Sequence, residues 1–195
     1  ENNKPAPRSP LNKMRITHAG VFYGERTPKY FFQALNKLFK ESPLLQNKIE
    51  VFFIGNFRKE DKKLIDKYQL GGVVSALGYF DHQKTIQYLK SSDVFWLMME
   101  NDVQSPGKVY EYIGARKPIL ANIADGFIKQ TIQEIEGNVV LPPKDVDDTA
   151  AAIKRLYDKF EKNETNTISN DIVERYNRIN LANELANIFG FLTEF

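Results

Sequence analysis

The chain has 195 residues, of which 42% are hydrophobic and 27% are charged, and its formal net charge is +2. This composition is typical of a globular protein with one large domain. The 27 basic and 25 acidic residues nearly balance, which argues against a dedicated nucleic-acid surface. The absence of cysteine excludes disulfides and thiolate metal sites. No apolar run approaches the roughly 18 residues that a membrane-spanning helix requires.

The first segment, 1–13, is polar and rich in proline, which predicts a linker or disordered tail. One domain is expected over 14–195. Since the chain also lacks an initial methionine, we expect it to be an excerpt from a longer protein. Within the domain, short apolar segments typical of buried strands alternate with segments of helical periodicity. Strands are predicted over 15–21, 49–54, 73–77, 94–98, 118–121 and 138–141, and helices over 28–40, 59–68, 83–91, 106–115, 128–136, 147–162 and 170–189.

This alternation predicts the α/β class. A parallel sheet of about six strands would lie between two layers of helices, as a Rossmann-like three-layer sandwich. In such sheets, ligands bind at the carboxyl ends of the strands, where the strand order reverses. Functional residues are therefore expected in the loops that follow the strands.

The loop after the first strand contains two glycines and an arginine. Gly20 and Gly24 leave room for a ligand against the backbone. Thr27 and Pro28 suit the N-cap and the first position of the next helix. Arg26 would then stand where that helix begins, and its guanidinium could bind phosphate oxygens in a two-pronged contact.

The segment that begins at Ser105 predicts a helix that binds an anion. Ser105 is a natural N-cap, Pro106 suits the first helical position, and Gly107 allows a close approach to the backbone. The N–H groups of the first turn favour a phosphate. Glu111 shares the helix face of Lys108, and its carboxylate could accept hydrogen bonds from the hydroxyls of a sugar. This loop and the loop after the first strand would enclose a pyrophosphate between them.

Together these segments resemble a known family, the retaining glycosyltransferases of the GT-B type. The match is to their carboxy-terminal, nucleotide-sugar-binding domain and most closely to the family four group of bacterial polysaccharide enzymes. It covers nearly everything from Met14 to the end. The segments that carry the resemblance are 20–34, 78–80, 92–94, 105–121, 142–145 and 149–153.

The resemblance implies a reaction and a set of partners. A sugar would move from a nucleoside diphosphate sugar to an acceptor hydroxyl, in surface polysaccharide or glycolipid synthesis, and its anomeric configuration would be kept. The chain would be the C-terminal half of a GT-B fold, and an N-terminal acceptor-binding domain absent from this chain would be its partner. The implied location is the cytoplasm, with peripheral contact to the inner face of the plasma membrane through that partner domain. We expect no metal or other cofactor to be required for donor binding.

The resemblance also implies roles for individual residues. Glu111 matches the glutamate that binds the ribose hydroxyls of the donor, and Arg26 falls where the family has its phosphate-binding lysine. Arg26 and Lys108 would act in catalysis by stabilising the departing diphosphate. The backbone around Tyr79 and Phe80 would meet the nucleobase. The implied donor-binding set is Gly20, Arg26, Tyr79, Phe80, Ser105, Gly107, Lys108 and Glu111.

Two positions depart from the family's pattern. The first glutamate of the family's pair is replaced by Val103, and the usual arginine after the first glycine is replaced by Val21. Glu100 or Asp102 could substitute for the missing glutamate. The missing arginine leaves Arg26 and the helix termini to neutralise the phosphates.

A metal site is not favoured by the sequence. Asp145 and Asp147 imitate the Asp-x-Asp of other glycosyltransferases, but Asp145 opens a predicted helix, where an aspartate caps. We expect His18 to be buried in the first strand and His82 to be exposed where a helix begins. Two histidines so far apart in sequence give no support for a metal cluster.

Two other functions stay open on the sequence. A sugar-nucleotide epimerase half would share the architecture and would convert a nucleotide sugar without an acceptor. A degenerate α/β domain that binds no nucleotide is the alternative without catalysis, because Val21 and Val103 replace family residues. Dinucleotide oxidoreductases and P-loop NTPases fit poorly, since neither of their glycine-rich motifs occurs in the chain.

Overall fold

A computed structural model describes residues 4–8, 11–24, 26–100 and 107–193, with the side chains of 191–193 left aside. In this part of the chain, no helix is both long enough and apolar enough to cross a membrane. The elements are β1 (Met14–Ala19), α1 (Lys29–Glu41), a 3₁₀-helix (Pro43–Asn47), β2 (Ile49–Ile54), α2 (Lys59–Lys67), β3 (Val74–Gly78), α3 (His82–Lys90), β4 (Val94–Met99), α4 (Lys108–Gly114), β5 (Ile119–Ile123), α5 (Phe127–Gln133), β6 (Val139–Leu141), α6 (Asp147–Glu161), α7 (Asn170–Arg175) and α8 (Arg178–Thr193).

The six strands form one parallel sheet in the order β3-β2-β1-β4-β5-β6. The predicted α/β class and the sheet of about six strands are therefore confirmed. The chain builds one half of the sheet outward from β1 and then returns to its centre with β4. The strand order thus reverses between β1 and β4, which pair through Ile16 with Val94 and Thr17 with Phe95. A crevice at the carboxyl ends of these two strands is the expected ligand site.

Alternation along the strands gives the domain two hydrophobic cores, one on each face of the sheet. In β4, Val94, Trp96 and Met98 belong to one core, which includes buried residues of α1 and α6. The intervening Phe95 and Leu97 belong to the other core, which includes buried residues of α4 and α5. All six residues of β4 are buried, as expected of a central parallel strand covered on both faces.

The last predicted helix, over 170–189, is wrong as a single element, because the chain breaks it into α7 and α8. The cause is Asn177, whose side-chain oxygen accepts a hydrogen bond from the Ile179 N–H at 3.0 Å. This bond satisfies a free donor at the start of a new helix, as asparagine commonly does. The 3₁₀-helix between α1 and β2 is also absent from the prediction. The other boundaries agree within a few residues.

Part of the proline-rich first segment lies against the domain. The Ala6 N–H donates to the Gln87 carbonyl at 2.9 Å. The Arg8 guanidinium donates to both carboxylate oxygens of Asp93, at 2.8 and 2.6 Å. Ala6 and Arg8 thus have defined partners in the domain, whereas the boundary between a linker over 1–13 and the domain stays a prediction.

A buried amide connects the sheet to the elements that follow β5. The Asn122 side-chain oxygen accepts a hydrogen bond from Trp96 Nε1 at 2.9 Å. Its nitrogen donates to the Pro142 carbonyl at 3.1 Å and to Thr149 Oγ1 at 2.8 Å. Because Asn122 is only 3% exposed, water cannot easily replace these bonds. This one side chain therefore positions β4, the loop after β6 and α6 relative to β5.

We expect Asn122→Ala to lower the free energy of unfolding by about 1–3 kcal/mol, because it leaves the buried Trp96 N–H without an acceptor. The measurement is urea unfolding followed by tryptophan fluorescence, since the chain has a single tryptophan. Asn47→Ala, at an exposed position of the 3₁₀-helix, is the matched control and should change stability by less than about 0.5 kcal/mol. Equal effects of the two variants would contradict this account of the amide.

Candidate active site

A cavity of about 200 Å³ opens where the strand order reverses. The loop after β1 forms one wall, the end of β4 forms the floor and the start of α4 forms the opposite wall. Two cationic side chains from distant parts of the sequence, Arg26 and Lys108, line this one cavity. The lining residues are His18, Ala19, Gly20, Val21, Phe22, Tyr23, Arg26, Leu97, Met98, Gly107 and Lys108.

The backbone at the mouth of the cavity is held by a contact between two glycines. The Gly20 N–H donates to the Ile54 carbonyl at 2.8 Å, which extends the pairing of β1 and β2 by one residue. Gly55 follows with φ of +126°, and a Cβ on it would lie 2.3 Å from the Gly20 carbonyl oxygen. Only glycine fits at position 55, since any side chain would displace Gly20 from the cavity wall.

The loop that carries Arg26 is held from outside by an ion pair. Asp61 is 1% exposed, and its carboxylate accepts a hydrogen bond from Arg58 Nε at 2.6 Å. The same guanidinium donates to the carbonyls of Gly24, at 3.1 Å, and of Arg26, at 2.7 Å. The hydrogen bond to Asp61 raises the pKa of Arg58, which keeps the guanidinium charged. This clamp determines the path of the backbone on both sides of Arg26.

Thr27 takes part in the same clamp, which corrects the predicted helix start. Its hydroxyl donates to Asp61 at 3.0 Å and accepts a long bond of 3.3 Å from the Lys29 N–H. Helix α1 begins at Lys29, so Pro28 takes the N-cap position that the sequence had suggested for Thr27. The buried Asp61 carboxylate draws the hydroxyl toward α2, and the helix begins one residue later than predicted.

Helix α4 is attached to β1 beside the cavity. The Tyr112 hydroxyl accepts a hydrogen bond from the Ala19 N–H at 2.8 Å, and its ring stacks on Phe95 with centroids 4.3 Å apart. Burial raises the pKa of Tyr112 well above its usual range, so the hydroxyl stays neutral. This bond fixes the distance between the loop after β1 and the first turn of α4, where Lys108 lies.

His18 forms part of the cavity wall at the end of β1. The residue is 7% exposed, and its Nδ1 lies 3.0 Å from the Trp96 carbonyl oxygen. Burial, together with the positive charges of Lys108 and Arg26, lowers the pKa of His18 to about 4, although the hydrogen bond to the Trp96 carbonyl acts in the opposite direction. The ring is therefore neutral at physiological pH, and among the described residues the charged side chains that line the cavity with it are those of Arg26 and Lys108.

Comparison with known proteins assigns this chain to a family. The family model of the glycosyl transferases group 1 matches residues 1–170. The chain belongs to this family. A search of the curated proteins finds no match.

Solved structures of glycosyltransferases share the fold of this group 1 domain. Sucrose-phosphate synthase from Thermosynechococcus elongatus superposes with a TM-score of 0.71 at 18% identity, over 95% of this chain and 47% of that one. Anabaena HepE in complex with UDP superposes with a TM-score of 0.73 at 14% identity, over 94% of this chain and 50% of HepE. S. aureus TarM in complex with UDP and other ligands superposes with a TM-score of 0.70 at 15% identity, over 97% of this chain and 38% of TarM.

These likenesses confirm the predicted GT-B-type fold, and the family match confirms the resemblance to glycosyltransferases. The family match also favours the transferase over the epimerase alternative. The chain spans about half or less of the length of the three structures.

The structure brings together half of the predicted donor-binding residues. Gly20, Arg26, Gly107 and Lys108 all line the cavity. Glu111 lies three residues after Lys108 in α4 and is half-buried, but it is not among the described residues that line the cavity.

The remaining predicted residues lie elsewhere. Tyr79 is 79% exposed in the loop after β3. The Phe80 ring packs against Tyr88 at 5.0 Å and lies under the Lys84 ammonium at 4.0 Å. Ser105 is outside the described residues.

The two departures from the family's pattern have different outcomes. Val21 lines the cavity, so an apolar side chain stands where the family has an arginine. Val103 and its suggested substitute Asp102 are outside the described residues. The other suggested substitute, Glu100, lines a second cavity with Pro142, Pro143, Lys144 and Asp145.

The Asp-x-Asp segment acts in helix capping and ion pairing. The Asp145 carboxylate accepts the Asp148 N–H at 3.0 Å, which confirms its interpretation as a cap. Asp147 pairs with Lys37 of α1 at 2.6 Å. His18 is buried and His82 is exposed, as predicted.

Three residues that organise the site are absent from the sequence analysis, namely Arg58, Asp61 and Tyr112. The spacing of Arg58 and Asp61 indicates a local ion pair, but the contact of Arg58 with the Arg26 loop crosses 32 positions of sequence. Tyr112 gives no signal beyond its place in an apolar stretch, because its hydroxyl bonds to a backbone 93 positions away.

The free energy of unfolding should decrease as the pH is lowered, because burial disfavours protonation of His18 in the fold. An unfolded histidine titrates near pH 6.5, whereas the pKa of His18 in the fold is about 4. Below pH 6.5 the histidine binds a proton in the unfolded state but stays neutral in the folded state. The free energy of unfolding therefore decreases as the pH falls toward 4. We expect this residue to account for a loss of about 2 kcal/mol in the free energy of unfolding between about pH 7 and pH 5.

Chemical denaturation across this pH range measures the effect. His18→Phe should flatten the profile by that amount, whereas His82→Gln, at an exposed position, should leave it unchanged. A His18→Phe profile as steep as that of the wild type would show that other groups cause the loss.

The Arg58 clamp is expected to control the mobility of the Arg26 loop. Arg58→Lys keeps a positive charge for Asp61 but removes the forked donor that reaches the Gly24 and Arg26 carbonyls. The Arg26 N–H, which donates to the Tyr23 carbonyl at 3.1 Å, should then exchange with solvent up to roughly tenfold faster. Amide hydrogen exchange followed by NMR measures this rate. Arg155→Lys, at an exposed position of α6, is the control, and an unchanged Arg26 rate in Arg58→Lys would exclude the clamp.

Proposed function

We propose that this chain is the donor-binding domain of a retaining glycosyltransferase, which transfers a sugar from a nucleoside diphosphate sugar to an acceptor hydroxyl. One observation carries the proposal: Arg26 and Lys108, from the loops after β1 and β4, line the same cavity where the strand order reverses. Membership of the glycosyl transferases group 1 supports the reaction class. An acceptor-binding domain in the rest of the protein would complete the active site, since the related structures are about twice as long or longer.

The two cations suit the chemistry of a departing diphosphate. Breaking the bond between the sugar and its phosphate leaves negative charge on the diphosphate, and fixed positive groups stabilise that charge. Hydrogen bonds to charged groups contribute about 1.5–3 kcal/mol each. The Arg58 clamp holds the backbone of Arg26 in advance, and the Tyr112 bond does the same for α4. The backbone that carries each cation would therefore need little rearrangement when the donor binds.

Glu111 would bind the ribose of the donor. Its place one helical turn after Lys108 puts both side chains on the same side of α4. A carboxylate accepts hydrogen bonds from two neighbouring hydroxyls, whereas it would repel a phosphate. The donor would therefore lie with its diphosphate over the cavity and its ribose along α4. Gly20, Gly107 and Ser105 belong to the same proposed set, with Tyr79 and Phe80 beside the base.

UDP is the first nucleotide to test, because HepE and TarM, which share this fold, were solved in complex with it. The proposed binding mode uses protein cations, so no metal is required. The cytoplasmic location and a peripheral membrane contact through the acceptor-binding domain belong to the same proposal, as does a polysaccharide or glycolipid acceptor.

Calorimetric titration of the chain with UDP, GDP, ADP and CDP, with EDTA and with Mg²⁺, tests the donor site. We expect one nucleotide to bind selectively and equally well under both conditions. Arg26→Ala and Glu111→Ala should each weaken its binding by roughly 10- to 150-fold, the value of a hydrogen bond to a charged group. Arg155→Ala and Glu184→Ala, at exposed positions, are the charge-matched controls. Absence of binding, or equal effects of all four variants, would favour the alternative of a degenerate α/β domain.

A further inference from the structure

The cavity contains a polar atom that the proposed diphosphate contacts leave unused. Nε2 of His18 is buried and has no hydrogen-bond partner among the described residues. The ring to which it belongs lines the same cavity as Arg26 and Lys108. Buried polar atoms nearly always have a partner, so an orphan at a cavity wall points to a group that the ligand supplies.

The hydrogen bond at the other ring nitrogen defines what Nε2 can bind. Nδ1 lies 3.0 Å from the Trp96 carbonyl oxygen, and a carbonyl only accepts, so Nδ1 carries the proton. The ring is neutral, because burial and the charges of Lys108 and Arg26 disfavour a second proton. Nε2 is therefore a pure acceptor with one lone pair, and its partner must be a donor.

Packing holds this lone pair in one direction. The His18 ring stacks on Phe22, with centroids 4.8 Å apart and an interplanar angle of 12°. Trp96 and Phe53 contact it from other sides at 5.3 and 5.7 Å. A Cβ built on Gly20 would lie 3.0 Å from Nε2 and 3.7 Å from Cε of Lys108. Glycine at position 20 thus keeps open the space between the histidine and the lysine.

An ionised diphosphate cannot be the partner of Nε2, because its oxygens are acceptors and carry no proton at neutral pH. The hydroxyl groups of the donor are different, since each has a hydrogen to donate. They flank the diphosphate on both sides, as part of the ribose and of the transferred sugar. A cavity with two cations and one neutral acceptor therefore matches phosphate oxygens next to a hydroxyl.

We propose that Nε2 of His18 accepts a hydrogen bond from a hydroxyl of the nucleotide sugar bound in this cavity. The inference rests on the proposed donor site and assigns it a further specificity-determining residue. Arg26 and Lys108 select the phosphates by charge, and His18 selects a hydroxyl beside them by its lone pair. A donor that lacks this hydroxyl would leave Nε2 buried and unsatisfied.

Three variants of His18 separate its hydrogen bond from its packing. His18→Phe keeps an aromatic ring and removes the acceptor. His18→Asn can keep a donor for the Trp96 carbonyl but has no group at the place of Nε2. His18→Gln can supply an amide oxygen near that place. We expect the first two to weaken donor binding roughly three- to tenfold and His18→Gln to restore part of the loss.

Titrations with UDP, UDP-glucose and UDP-N-acetylglucosamine show which hydroxyl is bound. A ribose contact predicts that His18→Phe weakens all three probes and that 2′-deoxy-UDP or 3′-deoxy-UDP no longer distinguishes the variant from the wild type. A contact with the transferred sugar predicts an unchanged affinity for UDP and a loss confined to a UDP-sugar. Equal affinities of wild type and His18→Phe for every probe would overturn the inference, since a bound water would then be sufficient for Nε2.

A spectroscopic test needs no substitution. The chain has only two histidines, so the ¹⁵N resonances of their rings can be assigned in a long-range ¹H–¹⁵N spectrum. Acceptance of a hydrogen bond should shift the Nε2 resonance of His18 when UDP or a UDP-sugar is added, while exposed His82 stays constant. If UDP binds and is lost in Arg26→Ala but the His18 resonance does not move, this inference fails and the donor site stands. If no nucleotide binds at all, both fail together.

Discussion

The pairing of β1 with β4 at the centre of the sheet determines where chemistry can occur in this domain. The six strands are parallel, so their carboxyl ends all lie along the same edge of the sheet, and the loops that follow the strands start there. Only where the order reverses do two such loops diverge to opposite faces and leave a crevice. Gly20 and Lys108 face each other across that crevice, although they are far apart in sequence. Because β4 is buried on both faces, its pairing with β1 is shielded from water, and the position of the cavity follows from this pairing.

Two cationic side chains line the crevice, and their charges act on the groups around them. Arg26 and Lys108 both line this cavity, and the positive charge of each lowers the pKa of His18. The neutral state of His18 follows from burial and from these charges, and its pKa of about 4 records both. The carboxylate that is buried nearby, Asp61, is committed to Arg58 outside the cavity. Positive side chains that line a cavity favour the binding of an anionic ligand there.

Much of the fold could be predicted because its signals are local. Apolar runs such as 94–98 and the capping pattern at Asp145 depend on neighbours in sequence, and both agree with the structure. Contacts between distant segments left no such signal. The bond from Tyr112 to the Ala19 N–H and the reach of Arg58 to the Arg26 carbonyl join positions tens of residues apart. The break between α7 and α8 was a local signal, Asn177, that the continuous helical periodicity obscured.

The residues around Val21 explain how the cavity can function with a valine where the family usually has an arginine. Val21 forms an apolar part of the cavity wall between Gly20 and Phe22, and an arginine there would add a third cation next to the His18 ring. The guanidinium of that arginine could donate a hydrogen bond to Nε2 and would then compete with a ligand for its lone pair. In the proposed donor site, valine would leave that lone pair to the ligand, and Arg26, which lies at the clamped end of the same loop, would bind the phosphates. In the proposed donor site, Val21 in place of the family's usual arginine and the acceptor on His18 would therefore be two aspects of one redistribution of polar contacts, in which Arg26 binds phosphate and the neutral Nε2 binds a hydroxyl.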